Sequence, residues 1–103
     1  MAIKNDNGEA AAAFYDKRRK WLDYVNTNPR IGHASFRVAF FIAQRMNGGN
    51  QASWYSVRQI AERLSMSTHT VSAAIIQLEA EGLLIPCRTL GRRSSYLISG
   101  GPE

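Results

Sequence analysis

One stretch decides the fold of this chain, residues 56–84, which read SVRQIAERLSMSTHTVSAAIIQLEAEGLL. Ser56 and Gln59 have the Ser-x-x-Gln spacing of a capping box, in which each side chain satisfies a backbone N–H group of the other residue. This spacing predicts a short helix that runs through Leu64. The three residues that follow are too few for anything except a turn between two helices that meet at an angle.

The second helix of this stretch is delimited on both sides. Ser67 can cap its N-terminus, and Gly82 stands where a left-handed residue commonly ends a helix. Apolar residues recur at the helical period in both segments, so each helix has one face to bury. Those inward residues are Ile60, Ala61 and Leu64 in the first helix and Val71, Ile75 and Leu78 in the second.

Beyond Gly82 the pattern changes from helical to extended. Residues 84–89 and 94–98 flank the sequence Leu90-Gly91-Arg92-Arg93, which is typical of a β-hairpin with a glycine in its turn. Two helices that are joined by a short turn and followed by a hairpin describe a winged helix-turn-helix. We therefore predict a mainly α fold with a small β-hairpin, namely a winged helix-turn-helix with an extra N-terminal helix.

The N-terminal half predicts two further helices. The Ala-rich segment 9–27 contains no Gly or Pro, and Asn28-Pro29 stops it because a residue before proline is disfavoured in the α region. A helix from about residue 34 to 46 is apolar over so much of its surface that we expect it to be central. The predicted organisation is a flexible tail over 1–8, an N-terminal helix over 9–28, a winged helix-turn-helix domain over 30–98 and a flexible tail over 99–103.

The same residues resemble the winged helix-turn-helix family of bacterial DNA-binding proteins. The motifs that carry the resemblance are Ile60-Ala61-x-x-Leu64, Ser67-x-x-Thr70-Val71 and Leu78-x-x-x-Gly82-Leu83, and it extends over about residues 34–98. Domains of this family occur in transcription regulators and in plasmid or phage replication initiators. The resemblance implies that the helix over 68–81 enters the major groove, while the preceding helix lies against the DNA backbone.

Three segments supply candidates for DNA contact under this resemblance. Hydroxyl groups can hydrogen-bond several base edges, and Ala or Thr methyls can contact thymine. Helix N-termini and arginines suit phosphate oxygens. The candidates are Ser67, Thr68, His69, Thr70, Ser72, Ala73 and Gln77 in the recognition helix, Tyr55, Ser56 and Arg58 at the N-terminus of the preceding helix, and Arg88, Arg92, Arg93 and Ser94 in the wing.

The recognition helix departs from the family in its charge. It carries no Lys or Arg, and Ala73 and Ile76 occupy positions that are often basic in relatives. Because this helix has no arginine, it cannot read guanine through the bidentate arginine contact. We expect Ile76 to be partly buried against a neighbouring element rather than to contact a partner.

The first helix allows two interpretations. Its basic run, residues 17–20, surrounds the helix axis and so cannot form one patch. The run is therefore either a solvated face of the helix or a nucleic-acid contact. Asp16 is spaced to pair with Lys20, and Arg19 with Asp23. The apolar side chains either cover the core of the same chain or form the contact of a homodimer; they are Phe14, Trp21, Leu22 and Val25.

Composition limits the classes of function. A chain of 103 residues predicts one domain, and a net charge of +5 with a pI near 9.9 favours a nucleic-acid partner. We expect no cofactor, metal site, small-molecule ligand or enzymatic activity, because one cysteine and two histidines form no zinc or nucleophile–base pattern. No apolar run approaches the length of a membrane span.

The predicted function is a cytoplasmic, sequence-specific double-stranded DNA-binding protein, most simply a dimeric transcriptional repressor. The alternatives are a plasmid or phage replication or maintenance protein and a protein-interaction module.

Overall fold

Four helices and one antiparallel hairpin make up the part of the chain that the structure, a computed structural model, describes, namely residues 6–46, 55–87 and 95–100. This architecture confirms the predicted mainly α fold with a small hairpin. In chain order the elements are α1 (Asp6–Thr27), α2 (His33–Gln44), α3 (Val57–Leu64), α4 (Thr68–Ala80), β1 (Leu84–Cys87) and β2 (Ser95–Ile98).

The first helix begins earlier than its Ala-rich composition indicated. α1 starts at Asp6 rather than at Glu9, so the tail expected over residues 1–8 is helical from Asp6 onward. Residues 1–5 lie outside the described part of the chain. The helix ends at Thr27 as predicted, directly before Asn28-Pro29.

Both predicted N-caps of the helix-turn-helix are formed. Ser56 Oγ accepts from the Gln59 N–H at 3.1 Å and Gln59 Oε1 accepts from the Ser56 N–H at 2.9 Å, which completes the capping box of α3. Ser67 Oγ accepts from the Thr70 N–H at 3.0 Å and caps α4. Gly82 follows α4 with a φ of 75°, the left-handed conformation expected of it.

A left-handed serine sets the angle between α3 and α4. Ser65 has φ 58° and ψ 45° and is the one described non-glycine residue with a positive φ. The reversal lets the Met66 N–H donate to the Ala61 carbonyl at 2.9 Å, which ends α3. The chain then turns directly into the Ser67 cap.

The core lies between α2 and the helix-turn-helix. α2 packs against α1, α3 and α4, as its apolar surface predicted. Of the inward residues that the helical period selected, Leu64 is partly buried and the other five are buried. Ala74 of α4 is buried with them, a residue that the sequence interpretation had not placed in the core.

The structure assigns α1 to the core of its own chain. Trp21 and Val25 are each 1% exposed and Phe14 is 4% exposed, while Leu22 is partly buried. The Trp21 indole N–H donates to the Ser99 carbonyl at 2.8 Å and to the Leu83 carbonyl at 3.2 Å. The interpretation of these side chains as a dimer contact is therefore wrong, because their apolar surface and the indole donor are already used within the chain.

The hairpin closes the other side of the core. Leu84 pairs with Ile98 and Cys87 with Ser95 in antiparallel register. Leu84, Tyr96 and Ile98 are buried, so one face of the strands packs inward. The predicted turn and its arginines, within residues 88–94, lie outside the described residues, as do residues 101–103 of the predicted C-terminal tail.

Candidate nucleic-acid interface

The N-terminal turn of α4 projects from the body of the protein. Ser67, Thr68 and His69 are exposed, and Thr70 is half-buried. Besides capping the Thr70 N–H, Ser67 Oγ donates to Thr70 Oγ1 at 2.9 Å, which fixes both hydroxyls. The first backbone N–H groups of an α-helix have no partner within the helix. The N-terminal turn of α4 can therefore donate hydrogen bonds to a ligand that lies against it.

One face of α4 is exposed and carries no formal charge. His69, Ala73, Ile76 and Ala80 follow one another at helical spacing, and all four are exposed. We call this set the α4 stripe. Ile76 is 64% exposed, so the expectation that it would be partly buried was wrong. Its side chain points away from the inward face formed by Val71, Ile75 and Leu78.

Gln77, a candidate base reader, is occupied inside the protein. Its Nε2 donates to the Arg30 carbonyl at 2.6 Å, and its Oε1 accepts from Ser35 Oγ at 2.5 Å. Position 77 lies beside the α4 stripe and faces the start of α2. The amide oxygen and nitrogen of Gln77 are therefore both hydrogen-bonded to residues of that region. Gln77 would have to give up both hydrogen bonds to reach a base edge. Ser35 was missed from the sequence, although a serine on the buried face of α2 requires such a partner.

The start of α3 supplies a second, smaller group of candidates. Arg58 is exposed, and Ser56 is half-buried with its Oγ committed to the cap. The half-buried Tyr55 ring stands edge-on to Phe41 with 5.2 Å between centroids, and the Arg63 guanidinium lies over it at 5.5 Å. Packing is thus the observed role of the Tyr55 ring.

Ser72 and Ala73 complete the described candidates on α4. Ser72 is half-buried and Ala73 is exposed on the α4 stripe. The wing candidates Arg88, Arg92, Arg93 and Ser94 all lie outside the described residues, so their placement stays a prediction.

Two arginines that contribute to the positive net charge serve the fold. Arg18 donates to the carbonyls of Ala43 and Met46, at 3.4 and 3.3 Å, just where α2 ends. Arg37 donates to the Leu64 carbonyl, at 3.1 Å, at the end of α3. Helix C-termini carry unpaired carbonyls and partial negative charge, so each guanidinium stabilises a helix end.

The basic run of α1 is partly neutralised by one carboxylate. Asp16 pairs with Arg19 at 2.7 Å and with Lys20 at 3.0 Å. The hydrogen bonds from Arg19 and Lys20 lower the pKa of the Asp16 carboxyl below its usual value. The predicted Asp16–Lys20 pair is confirmed, whereas Arg19 reaches Asp16 instead of Asp23. These contacts favour the solvated-face interpretation of the run.

The described residues contain neither a candidate metal cluster nor a candidate membrane-spanning helix. Among them, no three His, Cys, Asp or Glu side chains gather closely enough to hold a metal ion. Their helices also include none that is both long enough and apolar enough to cross a membrane.

Comparisons with known proteins agree with this geometry. A sequence model of the family described as "Helix-turn-helix domain" matches residues 30–84, more than half of the chain. Among solved structures, the transcriptional regulator BldR from Sulfolobus solfataricus is similar in fold, with a TM-score of 0.54 and 13% sequence identity. The likeness covers 94% of this chain and 70% of BldR. No curated protein matches the sequence.

Proposed function

Since this chain belongs to the Helix-turn-helix domain family, we propose that it is a transcription regulator that binds double-stranded DNA. One observation carries the proposal: the capped N-terminal turn of α4 is exposed and is held at a fixed angle to α3 by the left-handed Ser65. A recognition helix needs this arrangement, because its first turns must enter the major groove while the helix before it lies on the backbone. The similarity in fold to the transcriptional regulator BldR supports the same function.

The proposed contacts divide between base edges and phosphates. Thr68, His69, Ser72 and Ala73 approach the bases from α4, with Ser67 and Thr70 at its N-terminus. Arg58 and the N-terminus of α3, at Ser56 and Tyr55, lie against one strand of the backbone.

The hairpin arginines supply most of the proposed charge. α4 has no basic residue, and Arg18 and Arg37 are committed to helix ends. Arg88, Arg92 and Arg93, with Ser94 beside them, would therefore act on phosphates or in the minor groove. In this proposal residues 30–98 form the DNA-binding unit, and α1 covers its core.

Repression through a homodimer is the regulatory form that we propose. The three wing arginines give only a modest electrostatic contribution per subunit, and a second subunit doubles it. The pairing surface is not the Phe14–Trp21 face of α1, because that face is buried within the chain. Bound at a promoter, such a dimer excludes the transcription machinery by occupying the site.

A protein-interaction module is the second candidate, and the 64% exposure of Ile76 favours it. An exposed isoleucine in the middle of the recognition helix could pack on a protein as well as on DNA. The two candidates differ in how binding responds to salt. DNA binding weakens steeply with salt because counterions are released from the duplex, whereas apolar protein docking does not.

The test is the affinity for random-sequence duplex DNA between about 50 and 200 mM salt. We expect the three wing arginines to contribute about −3 per subunit to the log–log slope of the wild type, and Arg92→Ala/Arg93→Ala to lose about two units of that slope. Arg30→Ala is the matched control: Arg30 is exposed and lies 3.9 Å from Glu81, at the opposite end of α4 from Thr68. Binding without salt dependence, or a double variant equal to the wild type, would overturn the wing contact.

A further inference from the structure

We propose that Ala73 and Ile76 make this chain select sites with thymines at the centre of the contacted major groove, by packing on the thymine 5-methyl groups. The inference rests on the proposed DNA-binding function and deepens it, because it names the base that the α4 stripe recognises.

The α4 stripe changes character along its length. At its N-terminal end His69 offers ring nitrogens, but Ala73 and Ile76, the next two positions, offer only methyl and methylene groups. Ile76 is 64% exposed. From His69 to Ile76 the helix rises about 10 Å. That is the length of roughly three stacked base pairs.

None of the polar side chains that flank these two residues presents two free donors to one base edge. Gln77 is hydrogen-bonded to Arg30 and Ser35, and the half-buried Ser72 has a single hydroxyl donor. Glu79 is half-buried in the last turns of α4, beyond the N-terminal part that reaches bases in a helix-turn-helix. The centre of the recognition surface therefore lacks a side chain that could donate to guanine O6 and N7 at the same time.

Thymine is the base that complements such a surface. Its 5-methyl group is the apolar feature of the base-pair edges in the major groove, whereas guanine and cytosine present acceptors and an amino group there. Against Ala73 and Ile76, a G·C pair would lose its water without gaining a hydrogen bond, which is unfavourable. A thymine methyl would instead bury apolar surface against apolar surface.

The experiment uses sites selected from random duplex DNA by the full chain. Each thymine of the selected site is replaced singly by deoxyuridine, which removes the methyl group and keeps the base pair. We expect a loss of affinity of about fourfold at one or two central positions, the effect of burying one methyl-sized group. In Ile76→Ala the ratio of the affinities for the thymine and deoxyuridine sites should fall to about one at the base that Ile76 contacts. Ile76→Leu should keep the fourfold ratio at that base.

A matched variant separates this contact from general effects of apolar surface. Phe40→Leu changes another exposed apolar residue, on α2, and should leave every thymine-to-deoxyuridine ratio unchanged. Comparing ratios within each protein cancels differences in overall affinity.

The outcomes distinguish the two proposals. Salt-sensitive duplex binding with no response to deoxyuridine, or with the same response in Ile76→Ala as in the wild type, overturns the thymine contact and leaves the DNA-binding function standing. Absence of any salt-sensitive duplex binding overturns the function itself and the contact with it.

Discussion

The indole N–H of Trp21 donates to the carbonyl of Ser99 at 2.8 Å, which joins the first helix to the residue directly after the hairpin. The same N–H also reaches the Leu83 carbonyl at 3.2 Å, directly before the hairpin. α1 therefore holds both ends of the hairpin, which carries the predicted wing arginines. The added helix is thus part of the machinery that positions the wing.

Trp21→Phe is expected to destabilise the protein by about 1–3 kcal/mol, because the part-buried Ser99 carbonyl loses its indole donor and the Leu83 carbonyl keeps only the Ser99 N–H. Urea unfolding followed by circular dichroism measures the change. Tyr24→Phe, at an exposed position of the same helix, should leave the midpoint nearly unchanged. Equal midpoints for Trp21→Phe and the wild type would show that the indole hydrogen bonds contribute nothing to stability.

Gln77→Ala is expected to lower stability by about 1–3 kcal/mol, because it leaves Ser35 Oγ and the Arg30 carbonyl without this partner. The folded variant should bind selected DNA sites as tightly as the wild type. Gln44→Ala, at an exposed position of α2, is the control for stability. A variant with unchanged stability and relaxed preference at one base pair would restore Gln77 as a base reader.

Ser65→Gly is expected to stabilise the chain by about 0.5–1 kcal/mol. Glycine removes the strain of a left-handed Cβ, and the greater entropy of the unfolded glycine offsets part of that gain. Ser65→Val should destabilise it, since a β-branched residue tolerates positive φ poorly. Thermal melts of the three proteins give the order, and a glycine variant that melts below the wild type would contradict it.

Ser67→Asp separates the cap from the DNA contact. Aspartate caps helices as well as serine does and suits the positive helix N-terminus, so stability should be kept or raised. Facing phosphate, the same carboxylate should weaken duplex binding by at least about tenfold. Gln44→Asp carries the same charge change at the end of α2 and should bind nearly as the wild type. If both variants bind DNA equally, the α4 N-terminus does not lie on it.

Asp16 gives the chain a small, acid-sensitive contribution to stability. Its pKa is lowered in the folded state by the hydrogen bonds from Arg19 and Lys20, so this contribution is present above the usual pKa of aspartate and is lost as the pH falls through the lowered value. We expect Asp16→Asn to be slightly less stable than the wild type at neutral pH. The difference should shrink as the pH falls through the lowered pKa, and a difference that grows on acidification would contradict the pairing.

The sequence predicted most reliably those structural features that depend on only a few adjacent residues. The caps at Ser56 and Ser67 require only the three residues that follow, so spacing alone located them. Gln77 depends on Arg30, 47 positions away, and its role could not be read from the period of its own helix. The exposure of Ile76 has the same origin, because burial depends on which elements a helix face meets.

The sequence alone could not decide between the two interpretations of α1. An apolar stripe requires burial but does not name its partner, so core and dimer stayed equally compatible with the sequence. The indole hydrogen bonds of Trp21 to the hairpin ends decide between them.

The most direct test of the DNA-binding account is a titration of the ¹⁵N-labelled chain with a selected duplex, followed by amide chemical shifts. We expect the largest changes at residues 67–73 and 56–58, with the wing amides of residues 88–94 changing alongside them. Amides on the exposed side of α1, such as that of Tyr24, should stay in place. Changes confined to α1 or to the surface around Phe40, with residues 67–73 unmoved, would contradict the account.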